Sequence, residues 1–434
     1  MLHLESDSVR AALWSARFGL EREALRVTRD GRMSLTPHPF PQDDPRIVRD
    51  FCENQTEINT GISESAAAAV AELEEIDARL RRTLAALPAP ETLWLFSNPP
   101  PLGPEEDIPA ARFTGARAGK TAYREYAAAR YGRRKMCYCG VHVNLSLGPD
   151  LLAADRAAAG EPDPRRHADA LYCELTAHAA ERIWLLVALM AASPLADPSL
   201  FGLDGPAGGP PLFCGFASLR CSELGFWNDF VPVFDYSDVP SYARGVARYV
   251  EAGLIAAPTE LYYPVRVKPK GPNKLESLVS AGADRIELRT FDIVPFAPAG
   301  VDARDVAFAH AWLLRLAALP RAPHPARAQI AAVRNAKAAA RYDLETATIL
   351  AADGSAVPGR DAARRARDDL GAVVAPRDPP PGIREALAFQ RAKLATPGAR
   401  YAERVLAGAD ASLAAAAGLS APATAPSTEG ARHV

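Results

Sequence analysis

The chain has 434 residues, 48% hydrophobic and 24% charged, with a formal net charge of −2. That length buries one large core or two to three smaller ones, and the composition is globular rather than disordered. Near-neutral charge argues against non-specific nucleic-acid binding or a membrane-surface role, and six cysteines are too sparse for a disulfide scaffold.

The first ten residues, MLHLESDSVR, hold no signal-peptide core, so a cytoplasmic location is expected. FGLEREALRV (18–27) reads as a strand. PHPFPQDDP (37–45) and SNPPPLGPEED (97–107) read as proline-broken loops, and DFCENQTEINT (50–60) as an extended segment between them. Ser63 is the expected N-cap of a helix running to about Leu87. Cys137 and Cys139 form C-x-C without a second pair, which does not suit zinc. GVHVNLSL (140–147) is a second strand. Residues 164–193 are expected as one long helix, amphipathic at first and apolar towards its end. Its run IWLLVALMAA (183–192) is far short of the roughly 20 residues that span a bilayer. A long loop (193–211) follows, then helices at 239–256, 302–319 and 326–340, with strands at 261–270 and from 285 onward. No Walker or G-x-G-x-x-G loop occurs. Two domains are expected: a catalytic unit over 1–376, then, beyond RDPPPG (377–382), two helices and a disordered tail of about fifteen residues within 377–434.

Several strands share a peculiarity: one apolar face and one face charged in both signs. In RIELRTF (285–291), Ile286 and Leu288 lie opposite Arg285, Glu287 and Arg289. In 140–147, Val141, Val143 and Leu145 lie opposite His142, Asn144 and Ser146. Glu21 and Glu23 share a face, as do Tyr262, Arg266, Lys268 and Lys270, and as do Glu53, Gln55 and Glu57 if that segment is extended, with Asp50 just before. Each taken singly is most simply a solvated sheet face. Together they describe a sheet packed on helices on one side and lining a wet cavity on the other. That cavity would gather Glu21, Glu23, Asp50, Glu57, Glu287 and His142, an oxygen-rich set suited to hard cations such as Mg²⁺. Arg220, Arg266, Lys268 and Arg289 would meet phosphate or carboxylate groups. Mg²⁺ beside arginines is the arrangement that stabilises phosphoryl transfer, so the residues point to a Mg²⁺–nucleotide enzyme.

In this order, GLEREALRV (19–27), DFCENQTEINT (50–60), LWLFSNPPPL (93–102), KTAYREYAAARYG (120–132), GVHVNLSL (140–147), SLRCSELGF (218–226), ELYYPVRVKPK (260–270) and IELRTFDIVPFAPAGVD (286–302) resemble the bacterial glutamate–cysteine ligase family. The resemblance implies an α+β fold, glutamine-synthetase-like, with a curved, mainly antiparallel sheet and helices on its convex face. It implies an ATP-dependent ligase that phosphorylates the γ-carboxylate of glutamate and passes the acyl group to the amine of a small L-amino acid. Two or three Mg²⁺ ions are implied, with Mn²⁺ able to substitute. Glu21, Glu23, Asp50, Glu57, His142 and Glu287 match metal ligands, and Arg289 matches the arginine at the transferring phosphoryl group. Arg220 and Arg124 match arginines near substrate and phosphate. Arg266 and Lys268 match a basic strand near the nucleotide, and Phe51, Tyr123 and Tyr262 match acceptor-pocket positions.

The pocket departs from the family pattern at Ala127, Met136, Tyr138 and Phe226, where leucine, glutamine, a smaller apolar residue and tyrosine are usual. A more apolar pocket suits a short hydrocarbon side chain, as in the family's L-propargylglycine–L-glutamate ligase branch, with cysteine the alternative acceptor. A small-molecule kinase of the guanidine type, a metal-stabilised binding protein and a dinuclear hydrolase are readings from other classes.

Overall fold

The computed structural model describes residues 1–203 and 210–408. The expected disordered tail, and part of the 193–211 loop, fall outside the described residues. Nine strands matter to the site: β1 (Ala16–Thr28), β2 (Ile47–Arg49), β3 (Gln55–Asn59), β4 (Glu91–Leu93), β5 (Val141–Leu147), β6 (Leu195–Ala196), β7 (Leu212–Phe213), β8 (Val265–Pro269) and β9 (Ala283–Phe291). Seven of them form one sheet in the order β2-β3-β1-β5-β9-β8, with β4 pairing the far part of β1, while β6 and β7 pair separately. Every pairing in the large sheet is antiparallel. The fold is α+β, as the resemblance implies.

Strand alternation decides the layers. Leu20, Val141, Val143, Leu145, Ile286, Leu288, Val265 and Val267 are buried in one core with Leu73 and Leu80 of helix Ala66–Ala85, Leu175 of Pro164–Arg182, Leu186 of Trp184–Met190 and Phe308 and Leu313 of Ala303–Ala317. Helices therefore cover the apolar face. Arg22, between Glu21 and Glu23, points to that side, where Asp77 of helix Ala66–Ala85 pairs with it and Ala299 accepts from its Nε at 3.2 Å.

Three expectations change. The N-cap of helix Ala66–Ala85 is Ser65, whose Oγ accepts from Ala68 N at 3.1 Å. Ser63 instead exchanges backbone hydrogen bonds with Phe18. The segment 164–193 is two helices, Pro164–Arg182 and Trp184–Met190, separated at Ile183. The segment 50–60 is not extended throughout: Asp50 N bonds Gln55 O and Gln55 N bonds Cys52 O, closing a hairpin turn between β2 and β3. That turn takes Glu53 away from Glu57, and its carboxylate instead accepts from the N–H groups of His38 and Arg112.

The helices expected at 239–256, 302–319 and 326–340 run Val239–Glu251, Ala303–Ala317 and Ala326–Ala339. Beyond 376, helices Pro381–Ala395 and Tyr401–Ala407 pack into the same core through Ile383, Leu394 and Val405. Among the described residues no helix is long and apolar enough to cross a membrane.

Candidate active site

Directly opposed residues of an antiparallel pair share a face. The registers here are Glu23↔Glu57, Glu21↔His142, Asn144↔Glu287 and Arg266↔Glu287. Chained across five strands, they put all these side chains on the face that the helices leave free. A cavity of about 600 Å³ lies there. Its lining includes Glu21, Glu23, Asp50, Glu57, His142 and Glu287, the basic side chains Arg124, Arg220, Arg266, Lys268 and Arg289, and the pocket residues Tyr123, Met136, Tyr138, Phe226 and Tyr262. Phe51 and Ala127 do not line it. Both are fully buried in the hydrophobic core, Phe51 on the 50–54 turn and Ala127 beside Ala128 on the buried side of helix Gly119–Tyr131.

The carboxylates form two groups, Glu23 with Asp50 and Glu57, and Glu21 with His142 and Glu287, each offering ligand atoms within 4.8 Å of one another. His142 Nδ1 is 3.1 Å from Glu21 Oε2, and Asn144 Nδ2 donates to Glu21 Oε1 at 3.0 Å. Glu287 is clasped by Lys268 Nζ and Arg289 Nη1, each at 3.0 Å. Glu23 accepts from Gly140 N at 2.8 Å, and Arg124 bonds both the carboxylate and the carbonyl of Asp50 at 2.8 and 2.9 Å.

Charge is distributed unevenly between the groups. Burial, then repulsion from Asp50, Glu21 and Glu23, pushes the Glu57 carboxyl well above its usual range. Burial also raises Glu23, against the pull of His142. Burial alone would raise Glu287 too, yet Lys268, Arg289 and Arg266 together outweigh it and hold it well below. Glu23 facing Glu57 is a like-charge pair that only a cation or a proton relieves. The buried His142 Nε2 has no hydrogen-bond partner and stands 3.9 Å from Glu23 Oε1. A donor set of carboxylate oxygens and one free imidazole nitrogen fits Mg²⁺ or Mn²⁺.

A bulge shapes the phosphate side. Val143 pairs Leu288 and Val141 pairs Phe291, so β9 carries one residue more than β5 opposite His142, at Arg289–Thr290. Glycine does the same for Arg220: a Cβ on Gly140 would fall 2.3 Å from its Cζ, and one on Gly225 would fall 1.9 Å from its carbonyl oxygen. Aromatic rings close the other wall, with Phe226 and Tyr262 centroids 3.9 Å apart and Tyr131 edge-on to Tyr262 at 5.4 Å.

Asn59, Lys120, Thr259 and Asn273 also line the cavity and were not anticipated. Lys120 opens KTAYREYAAARYG and was within reach of the same reading. Thr259 and Asn273 sit on segments flanking β8, with no residue pattern to mark them. β8 is an edge strand, and beside it a smaller pocket of about 50 Å³ joins Arg266 and Lys268 to the apolar side chains Tyr242, Val246, Leu261 and Leu275.

The glutamate–cysteine ligase family model matches residues 1–252 and 230–339. A bifunctional glutathione biosynthesis protein of Listeria monocytogenes is 34% identical over 322 residues, 72% of this chain and 41% of that protein. A glutamate–cysteine ligase of Clostridium acetobutylicum is 31% identical over 355 residues, 71% of this chain and 73% of that protein. The chain thus spans about two fifths of the length of the bifunctional relatives it matches. Two solved structures share the fold. A bifunctional glutathione synthetase from Pasteurella multocida has TM-score 0.80 at 24% identity, covering 95% of this chain and 53% of that one. A glutamate–cysteine ligase from Francisella tularensis in complex with AMP has TM-score 0.78 at 23% identity, covering 90% and 84%. The chain belongs to the glutamate–cysteine ligase family.

Proposed function

We propose that this chain is an ATP- and Mg²⁺-dependent γ-glutamyl ligase that joins the γ-carboxylate of L-glutamate to the amine of a small L-amino acid. One observation carries the reading: two carboxylate groups and a row of cations meet on one face of one sheet, around a single cavity. Such a face can hold polyphosphate, metal and carboxylate together. Glu23, Asp50 and Glu57 on one side, and Glu21, His142 and Glu287 on the other, would hold the Mg²⁺ ions. When bound, Mg²⁺ supplies positive charge to the phosphate oxygens, where these clustered carboxylates by themselves would repel them.

The chemistry proceeds in two transfers. A γ-carboxylate oxygen of glutamate attacks the γ-phosphorus of ATP, the bond to the bridging oxygen breaks, and ADP leaves. The amine nitrogen then attacks the acyl carbon, phosphate leaves with the bonding pair, and the amine loses a proton. A free carboxylate has no adequate leaving group, which is why phosphorylation precedes amide formation. Arg289, raised on the β9 bulge, together with Arg266 and Lys268, faces the oxygens that gain charge during phosphoryl transfer. The annex at the edge of β8 has apolar walls in Tyr242, Val246, Leu261 and Leu275, which suit the face of a nucleobase. Arg220, whose guanidinium lies against Gly140 and whose carbonyl lies against Gly225, orients a substrate carboxylate.

The acceptor lies, in this reading, by Phe226, Tyr262, Met136 and Tyr138. Phe226 offers no hydroxyl and Met136 no amide, so a short apolar side chain such as that of L-propargylglycine is favoured. Cysteine is the second reading, supported by the name of the Clostridium acetobutylicum relative. An apolar pocket separates such near-isosteres by only about 1–3 kcal/mol. Protein supplied with glutamate, Mg²⁺ and ATP is tested against a panel of amino acids, with phosphate release and dipeptide mass as readouts. A higher kcat/KM for propargylglycine is expected. A tenfold preference for cysteine overturns the acceptor and keeps the ligase, whereas a stable phosphorylated product with no dipeptide overturns the ligase.

A further inference from the structure

On the far side of the sheet, helix Pro164–Arg182 presents Glu174, His178 and Glu181, and the connection between helices Ala303–Ala317 and Ala326–Ala339 sets His324 against them. We propose that Glu174, His178 and His324 form a second metal site, chemically unlike the active site and built for Zn²⁺. Glu174 and His178 are four residues apart, so they stack on one helical face.

The spacings from Glu174 to the two histidines suit a tetrahedral ion. His178 Nε2 lies 3.3 Å and His324 Nε2 3.2 Å from the same oxygen, Glu174 Oε1. A tetrahedral zinc with bonds of about 2.0–2.1 Å places its ligand atoms about 3.3 Å apart. Pro320 O, 3.1 Å from His178 Nε2, is at the same spacing and can supply the fourth ligand. The ligands are oriented from behind, as metal ligands are: Glu181 Oε1 meets His324 Nδ1 at 2.9 Å, and Ala322 N donates to Glu174 Oε1 at 3.0 Å. His178 is buried, and the His324, Glu174 and Glu181 side chains are 7%, 14% and 19% exposed.

Two imidazoles and one carboxylate make a borderline-soft set, in contrast to the oxygen-rich active site, so Mg²⁺ does not compete here. Without metal, the two ring nitrogens of His324 face Glu181 and Glu174, and zinc takes the place of a proton on Nε2. His178 binds through Nε2 only with its own proton on Nδ1, which Arg182 now faces at 3.3 Å. Arg182 is 38% exposed and already within reach of Glu181, to which it can turn. The site ties the connection 318–325 to the helix that backs β8 and β9, and so braces the strands carrying Arg266, Lys268, Glu287 and Arg289.

The full chain is dialysed against Zn²⁺ in excess Mg²⁺, and bound zinc is counted by elemental analysis. One equivalent is expected in the wild type and in Glu57→Gln, which alters only the active site, and none in His178→Gln or His324→Gln. Glu181→Gln, which spares the ligands, should weaken zinc binding about 10–100-fold. Co²⁺ in place of Zn²⁺ should give the intense visible absorption of tetrahedral coordination in the unmodified chain, a readout that needs no variant to fold. Absence of bound zinc in the wild type, an octahedral Co²⁺ spectrum, or retention of zinc by both histidine variants overturns the site.

Discussion

Glu23 and Glu57 oppose each other across β1 and β3, a pairing that costs stability unless something positive stands between them. Glu57, raised by burial and by its acidic neighbours, makes a contribution that is fully present below the ordinary carboxylate value of 4.5 and is lost as pH rises through the raised one. Metal-free protein should therefore lose thermal stability as pH rises above 4.5, and Mg²⁺ should flatten that slope. In Glu57→Gln the metal-free Tm is expected to hold or rise, the Mg²⁺-dependent gain to shrink, and kcat/KM for phosphate release to fall by about 100-fold or more. Paired melts with and without Mg²⁺ check the first two, and a lower metal-free Tm with an unchanged Mg²⁺ gain would contradict them. Gly140 offers a second residue test. A methyl there meets the Arg220 guanidinium, a side chain that can swing away, so Gly140→Ala should leave Tm within a few degrees yet cut kcat/KM by about tenfold or more. Equal losses of stability and activity would show the clash to fall on the backbone instead.

Element by element, the period-two alternation placed the acidic and basic residues of β1, β5, β8 and β9 on the correct face, because side-chain direction in a strand is a local property. Boundaries and turns were less readable. Ser63 and Ser65 are both good N-caps by residue type, and the choice fell to Ser65 because Ser63 is engaged by the backbone of Phe18. Ser65→Ala should cost about 1 kcal/mol, read as a lower urea midpoint at constant m, while Ser63→Ala should stay within about 0.5 kcal/mol. The break at Ile183 has no proline or glycine to announce it, and the β9 bulge needs a partner strand to exist at all.

For the whole molecule, the described residues after 376, up to 408, are integral to the core. Lys393 of helix Pro381–Ala395 pairs with Asp305 at 2.7 Å, both 1% exposed, and Gln390 and the Tyr401 hydroxyl bond the same carboxylate. Lys393→Met removes one partner of a buried pair and leaves the other charged, so a loss of about 3–5 kcal/mol in chemical denaturation is expected. A loss under 1 kcal/mol would mean that Gln390 and Tyr401 alone satisfy Asp305. Nothing in RDPPPG or the helices beyond it signals this contact, since a lysine in a helix is ordinarily solvated.

The sequence by itself determined which residues share a strand face, that the charged faces mix both signs, and that the residue types suit metal and phosphate. Tertiary structure alone decided that β9, near residue 287, lies between β5 and β8, that registers align Glu57, Glu23, Glu21, His142 and Glu287 into one floor, and that Phe51 and Ala127 belong to the core rather than to the cavity. The physical reason is range. Side-chain direction follows from the backbone of a few neighbouring residues, whereas strand order and register arise from contacts between segments far apart in the chain, such as Glu21 with His142 and Asn144 with Glu287, fixed only when the apolar faces pack together.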